Sequence, residues 1–285
     1  MYSRMAMTAP VCTDADFAAL NDRFDTFIVG SDQVWNASML NRRYLLDFVD
    51  KGKEKISYCP SMGTALVMKR QRQVFRKYLS DFNYISTREG VLQKILTQEL
   101  GRQVEHLLDP SMLIPREEYR AMAHLPEEFT PGSYLLCYFM PKNKEQVERV
   151  QQFARARGLK VVIMAMSAFS FTIPGVTIYA AAGPKEFVGL IDNAAVVMTS
   201  SFHCTIFSIM LHKDLYVFAQ KFTSKAADIN QRYIEQLETY GISHRYIAWG
   251  QGITPANEKP IDYERVETLF QERLKASKDY LSQFS

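Results

Sequence analysis

Short apolar runs alternate with helix-patterned stretches along most of the chain, and this alternation constrains the fold more than any other feature. Runs at 26–29, 55–59, 84–87 and 104–108 read as strands. Between them, 67–79 sets Val74, Phe75, Tyr78 and Leu79 at helical spacing, and 89–100 reads as a helix stopped by Gly101. The stretch 124–132 holds Pro126, Pro131 and Gly132 and reads as a linker. The alternation then restarts, with strands at 134–140, 160–166, 176–179, 194–198 and 215–218. Helices are expected at 142–157, 184–191, 202–211 and 229–240, with an irregular loop at 167–175. A final helix over 262–284 carries Val266, Leu269, Phe270, Leu274 and Leu281 on one face. Strands separated by helices pair in parallel, because a parallel neighbour needs a crossover. The expected fold is therefore α/β. Two Rossmann-like domains, 1–125 and 131–258, face a cleft, and a packing helix follows at 262–285.

The chain has 285 residues, 47% of them hydrophobic, which is enough for two cores. Its 34 Lys and Arg against 31 Asp and Glu leave a net charge of +3, too small to suggest nucleic-acid binding. No apolar run approaches the roughly 18 residues that would span a bilayer. Arg4 is followed by no apolar run, so no secretory signal is expected. Cys12, Cys59, Cys137 and Cys204 are scattered without a C-x-x-C pair, and the five histidines lack ligand spacing. The expectation is a cytoplasmic protein with reduced thiols and no metal.

Four segments offer chemistry. The first is the hydroxyl-rich turn Thr199-Ser200-Ser201, followed by Phe202-His203-Cys204, between a strand and a helix. A helix start there presents backbone N–H groups and a positive dipole end to an anion. His203 falls in the first turn, where a ring can exchange protons. The second is Ser86-Thr87-Arg88-Glu89, also at a strand-to-helix junction, where Arg88 is a candidate for binding a carboxylate or phosphate. The third, Gly30-Ser31-Asp32-Gln33-Val34-Trp35-Asn36, combines polar side chains with a tryptophan, a mixture suited to a sugar. The fourth is Asp228-Ile229-Asn230-Gln231-Arg232, which opens a helix and offers Arg232 as another anion ligand. Each has a plainer reading as a capped turn, a core aromatic or a solvated charge. Neither G-x-G-x-x-G, nor a P-loop, nor a G-x-S-x-G elbow is present.

In order, the quoted segments are 24–36, Ile56-Ser57-Tyr58, Ser86-Thr87-Arg88-Glu89, Leu107-Leu108-Asp109-Pro110-Ser111 and Ser200-Ser201-Phe202-His203. Together they resemble the polysaccharide pyruvyl transferase family from about Phe24 to Arg232. The resemblance implies a GT-B-like fold, with an acceptor-side first domain and a donor-side second domain. It implies transfer of pyruvate from phosphoenolpyruvate to two hydroxyls of one sugar as a cyclic ketal, with phosphate released. The setting implied is surface polysaccharide biosynthesis with no cofactor, and peripheral membrane contact through a lipid-linked glycan acceptor is compatible with it. On this reading His203 and Arg88 are catalytic. Ser200, Ser201, Arg232 and Asn230 bind the donor, and Asp32, Gln33 and Trp35 bind the acceptor.

The sequence departs from the family pattern in four places. Cys204 stands where glycine is usual and is expected to crowd the donor phosphate. Cys59-Pro60 follows Ser57-Tyr58 in place of small residues. Ser111 replaces a threonine, and the strand, glycine- and asparagine-rich loop and helix that usually open family members have no equivalent in 1–21. Two other functions fit the same pattern: a GT-B glycosyltransferase using a nucleotide sugar, and a non-catalytic relative that binds a glycan.

Overall fold

The structure, a computed structural model, describes residues 9–36, 40–64, 67–138, 144–165, 174–180, 182–220 and 229–284. Asp228, most of the 167–175 loop, the last two residues of the 134–140 run and the first two of the 142–157 helix lie outside the described residues. The chain divides into two compact units, 1–63 with 67–109 and 64–66 with 110–285. The division falls at Asp109, upstream of the stretch that reads as a linker.

The first unit holds α1 (Asp14–Ala19), β1 (Thr26–Val29), β2 (Glu54–Ser57), α2 (Lys69–Leu79), β3 (Tyr84–Thr87), α3 (Gly90–Leu100) and β4 (Glu105–His106). Its four strands are all parallel, in the order β1-β2-β3-β4. Phe27 and Val29 of β1 point into the core, whereas Thr26 and Ile28 are exposed, as alternation along a strand requires. The core gathers Trp35, Phe75, Leu79, Phe82, Ile85 and Leu96. α3 ends where the sequence says, with Gly101 in the left-handed region at φ 64°. α1 is short and mostly exposed, and is fixed at its start by a reciprocal cap between Thr13 and Asp16.

The second unit holds α4 (Arg116–Met122), β5 (Tyr134–Tyr138), α5 (Lys144–Ala156), β6 (Lys160–Met164), β7 (Val176–Tyr179), α6 (Pro184–Asn193), β8 (Val196–Thr199), α7 (Phe202–Met210), β9 (Asp214–Phe218), α8 (Gln231–Thr239), β10 (Tyr246–Ile247) and α9 (Tyr263–Leu281). Its six parallel strands run in the order β10-β9-β8-β5-β6-β7. Counted from β5, this is the doubly wound order 3-2-1-4-5-6, with strand direction of progress reversing between β5 and β8. β8 is buried along its length and β5 nearly so, which is why both read as continuous apolar runs.

α9 packs through Val266, Ser277 and Tyr280, while Leu269, Phe270, Leu274 and Leu281 of its apolar stripe are half-buried. Its first turns are tied by charge. Arg116 pairs with Glu267, and the His212 ring stacks on Tyr263 at 4.4 Å while its Nε2 lies 3.2 Å from Glu267. Burial and then the nearby Arg116 charge hold His212 below its ordinary value of 6.5, against the pull of Glu267. A histidine depressed on folding stabilises above its ordinary value, and that contribution is lost as the pH falls. Melting temperature should therefore drop on acidification below about pH 6.5. His244, depressed chiefly by burial, acts in the same sense. His212→Asn, at a left-handed φ that asparagine tolerates, should flatten part of this slope; an unchanged slope would exclude His212 as a contributor. Among the described residues, no helix is long and apolar enough to cross a membrane.

Candidate functional sites

In an open α/β sheet, ligands bind beyond the carboxyl ends of the strands where the order reverses. In the second unit that point lies between β5 and β8, and the chain leaving β8 there is Ser200-Ser201. Thr199 Oγ1 donates to Tyr138 O at 2.8 Å and accepts from the Ser201 N–H at 3.0 Å, so the turn is locked to both strands. Ser201 is the N-cap of α7, and its hydroxyl accepts from the Cys204 N–H at 3.4 Å. Of the nine residues of α7, all but His203 are buried. His203, half-buried in the first turn, is the one residue of α7 that keeps part of its surface accessible.

Behind this turn lies a polar network. Gln220 Nε2 donates to Ser200 O at 2.7 Å and to the Tyr233 hydroxyl at 2.8 Å. The Tyr233 hydroxyl, on a fully buried side chain, donates to the same Ser200 carbonyl at 2.8 Å. Arg232 Nη2 donates to that hydroxyl at 3.0 Å, and its guanidinium carbon lies 5.9 Å from the Phe202 ring centroid. Arg232 Nε is buried without a hydrogen-bond partner among the described residues. A cation thus stands beside the positive end of α7, and the two fields add.

Three residues of this unit singled out in the sequence are placed as follows. Asn230 Oδ1 accepts from the Gln220 N–H at 2.9 Å and its Nδ2 donates to Gln220 O at 3.2 Å. It holds the residue that holds Ser200. Ser200 is 2% exposed, so it shapes the turn and offers a donor almost no surface. Cys204 does not crowd an anion, because its side chain is fully buried and its thiol is pushed up to about 12 by burial. Burial, with Cys204 nearby, raises Cys137 in the same direction, so both thiols stay protonated at neutral pH.

The first unit builds a different constellation. Arg88 follows β3, and its side chain is 2% exposed. Its Nη1 lies 3.0 Å from Asp32 Oδ1, and its Nη2 lies 2.7 Å from Asp109 Oδ2. Nη2 also donates to Ser31 Oγ at 2.8 Å, and Ser31 in turn donates to Cys59 O at 2.7 Å. The Asp109 side chain is 3% exposed and the Asp32 side chain 61%. Asp32 has φ 63° and ψ −164°, a region nearly reserved for glycine, which costs about 1–3 kcal/mol. Its carbonyl accepts from the N–H groups of Val34 and Ser61, which fixes it there.

Gly30 makes this loop possible. A Cβ at Gly30 would lie 1.9 Å from Tyr58 O, and φ is 137°. Gly30→Ala should cost about 1–3 kcal/mol or more through backbone displacement, read by urea unfolding. A fully stable alanine variant would show that the strand exit tolerates a side chain.

The other residues singled out in this unit are placed as follows. Trp35 is fully buried, donates through Nε1 to Tyr44 O at 2.8 Å and packs on Phe75 at 5.6 Å. It is a core residue and presents no face to a sugar. Two carboxylates, Asp32 and Asp109, flank the Arg88 guanidinium. Gln33 remains half-buried with its Oε1 accepting from Asn36 at 2.7 Å. The roles of Asp109, Gln220 and Tyr233 are visible only in the structure. An acid just after a strand was the available signal for Asp109, and Gln220 and Tyr233 gave none. No group of three or more His, Cys, Asp and Glu placed to hold a metal ion occurs among the described residues.

The structure is similar to several solved proteins of GT-B-like fold. One is UGT89C1 of Arabidopsis thaliana, solved with UDP-L-rhamnose, with TM-score 0.56 and 10% identity, covering 95% of this chain and 74% of that one. Another is the UDP-GlcNAc 2-epimerase of Methanocaldococcus jannaschii, with TM-score 0.51 and 11% identity, covering 92% of this chain and 75% of that one. At such identities the likeness shows the fold alone. No curated protein matches the sequence at a significant level. The sequence model of the polysaccharide pyruvyl transferases matches residues 8–221.

Proposed function

The chain belongs to the polysaccharide pyruvyl transferase family, and from that premise we infer that it moves pyruvate from phosphoenolpyruvate onto two hydroxyls of a glycan sugar. The product is a cyclic ketal and the leaving group is phosphate. The observation that carries this reading is the start of α7. A capped helix N-terminus, the Arg232 guanidinium and the one residue of the helix that is not buried, His203, converge at the switch point of the sheet. Phosphoenolpyruvate is a small trianion, and this is the part of the second unit built for an anion.

The division of labour follows from the residues. The helix start and Arg232 bind the phosphate and stabilise it as it departs. His203 exchanges a proton with the reacting groups. Asp32 and Gln33 receive sugar hydroxyls, for which a carboxylate and an amide have the right acceptors and donors. Arg88 acts on that acceptor side. The acceptor is a sugar or lipid-linked glycan in surface polysaccharide biosynthesis. The fold neighbours handle nucleotide sugars, so a glycosyltransferase is the competing reading.

The test is product analysis. Phosphoenolpyruvate and a panel of nitrophenyl hexopyranosides are incubated with the protein. Phosphate release that requires a sugar, together with a product heavier by pyruvate less one water, is the expected result. Sugar-independent phosphate release, or transfer only from UDP or GDP sugars, would reject it.

A further inference from the structure

We propose that Tyr233 is a positioning residue for Arg232: its hydroxyl orients the guanidinium beside the start of α7 and leaves its charge whole for the anion bound there. This role rests on the transferase reading for the nature of that anion.

Charge pairing sets Arg232 apart from the other arginines of the second unit. Arg116, Arg120 and Arg245 each face a carboxylate, of Glu267, Asp192 and Asp214 in turn. Arg232 is half-buried and pairs with no carboxylate among the described residues. Its one side-chain hydrogen bond among them runs from Nη2 to the Tyr233 hydroxyl at 3.0 Å, and its Nε is buried without a partner. Aromatic rings stand around it, with the guanidinium carbon 5.0 Å from the Tyr233 ring centroid and 5.9 Å from that of Phe202. A hydroxyl and two rings hold a cation without cancelling it. A carboxylate in their place would oppose the field of the helix start.

The hydroxyl is itself fixed. Tyr233 is fully buried, and its hydroxyl donates to Ser200 O at 2.8 Å and accepts from Gln220 Nε2 at 2.8 Å as well as from Arg232. One donor and two acceptor sites are the whole capacity of a phenol, so this one is saturated. Gln220 is held in turn by the Asn230 amide, which bonds both its N–H and its carbonyl. Neighbours on a helix point about 100° apart and do not ordinarily meet. Arg232 reaches the hydroxyl of the next residue only by turning its long stem back, which selects one orientation for a planar group. Phenylalanine would fill the same core space, and Ser200 O would keep its bond from Gln220. The bond that the hydroxyl alone supplies is the one to Arg232.

The experiment is a double-mutant cycle, read by calorimetry with phosphoenolpyruvate on wild type, Tyr233→Phe, Arg232→Lys and the double variant. Tyr233→Phe should raise donor Kd about 3–10-fold, the worth of one hydrogen bond. Lysine keeps the charge but is a point charge with rotatable donors, so it needs no orienting. In the Arg232→Lys background, Tyr233→Phe should therefore change donor Kd by less than about twofold. A hydroxyl that served only the fold of the turn would act equally in both backgrounds.

Equal losses in the two backgrounds would overturn the proposal, as would an unchanged donor Kd in Tyr233→Phe. Should Tyr233→Phe not fold, Arg232→Lys judges alone. An oriented fork predicts about a tenfold loss of donor affinity with the charge retained, and a loss under about twofold contradicts it. If wild type binds a UDP sugar and not phosphoenolpyruvate, the transferase reading fails, and the same cycle with the UDP sugar still judges Tyr233. A wild type that binds neither would overturn the proposal as well, since the charge left whole would then serve no anion.

Discussion

Turnover should fall by about 10²–10⁴-fold when His203 is replaced by alanine, while phosphoenolpyruvate still binds. The fold gives little reason for the protein to suffer otherwise. His203 is the one residue of α7 that is not buried, so its removal leaves the helix packing of Phe202, Ile206, Phe207 and Ile209 intact. The anion field also persists. The N-cap hydroxyl of Ser201, the helix dipole and Arg232 are untouched, and the carbonyl of Ser200 remains fixed by Gln220 and Tyr233. Donor Kd should therefore rise only about two- to tenfold, the worth of one ordinary hydrogen bond. The separation of a large kcat effect from a small binding effect identifies a group that acts on the reaction rather than on recognition. Near-normal turnover in His203→Ala would sink the assignment. Parallel losses in binding and turnover would reduce His203 to a donor ligand.

The second large effect is on stability. Arg88→Met should destabilise the protein by about 3–5 kcal/mol, measured by urea unfolding, because it strands a buried carboxylate. Asp109 is 3% exposed and lies 2.7 Å from the guanidinium, so removing the cation leaves a charge with no access to water. Desolvation of a buried ion that has lost its counter-charge is the dominant cost, larger than the attraction that was lost. The double variant Arg88→Met with Asp109→Leu should recover most of the loss, since it removes both charges and keeps volume. Asp32→Asn should have a much smaller effect on stability, because its side chain faces solvent. A double variant no more stable than Arg88→Met would show that the triad does more than balance charge in the fold.

Much of the architecture was legible. The runs 26–29, 84–87 and 176–179 became strands at those bounds, because each is a short β-prone run that follows Asp, Asn or Gly. The parallel sheets followed from the helices between strands. What escaped was short or polar. α4 is seven residues, four of them charged, and Tyr119 is its one buried residue, so no apolar period announced it. β10 is two residues long and acquires strand character only by pairing with β9.

The sites were legible as segments and not as contacts. Sequence placed Arg88 and Asp32 at the ends of strands but could not show that they meet, because the pairing spans residues far apart in the chain. An arginine in isolation looks like an anion ligand; in the structure Asp32 and Asp109 flank it. Trp35 reads equally as a sugar platform or a core residue until its burial is known. Asn230 has the same ambiguity, since an amide that clamps a backbone and one that binds a ligand have one sequence signature. Cys204 shows the same limit of a motif position. Position in a motif does not give the direction of a side chain on a helix, and this one points into the core.

The most direct test of the donor assignment is calorimetric titration of the wild-type protein with phosphoenolpyruvate and, separately, with UDP and GDP sugars. Binding of phosphoenolpyruvate that is lost in Arg232→Ala, without binding of any sugar nucleotide, is the predicted result. Sugar-nucleotide binding without phosphoenolpyruvate binding would contradict it and assign the α7 start to the diphosphate of a glycosyltransferase donor.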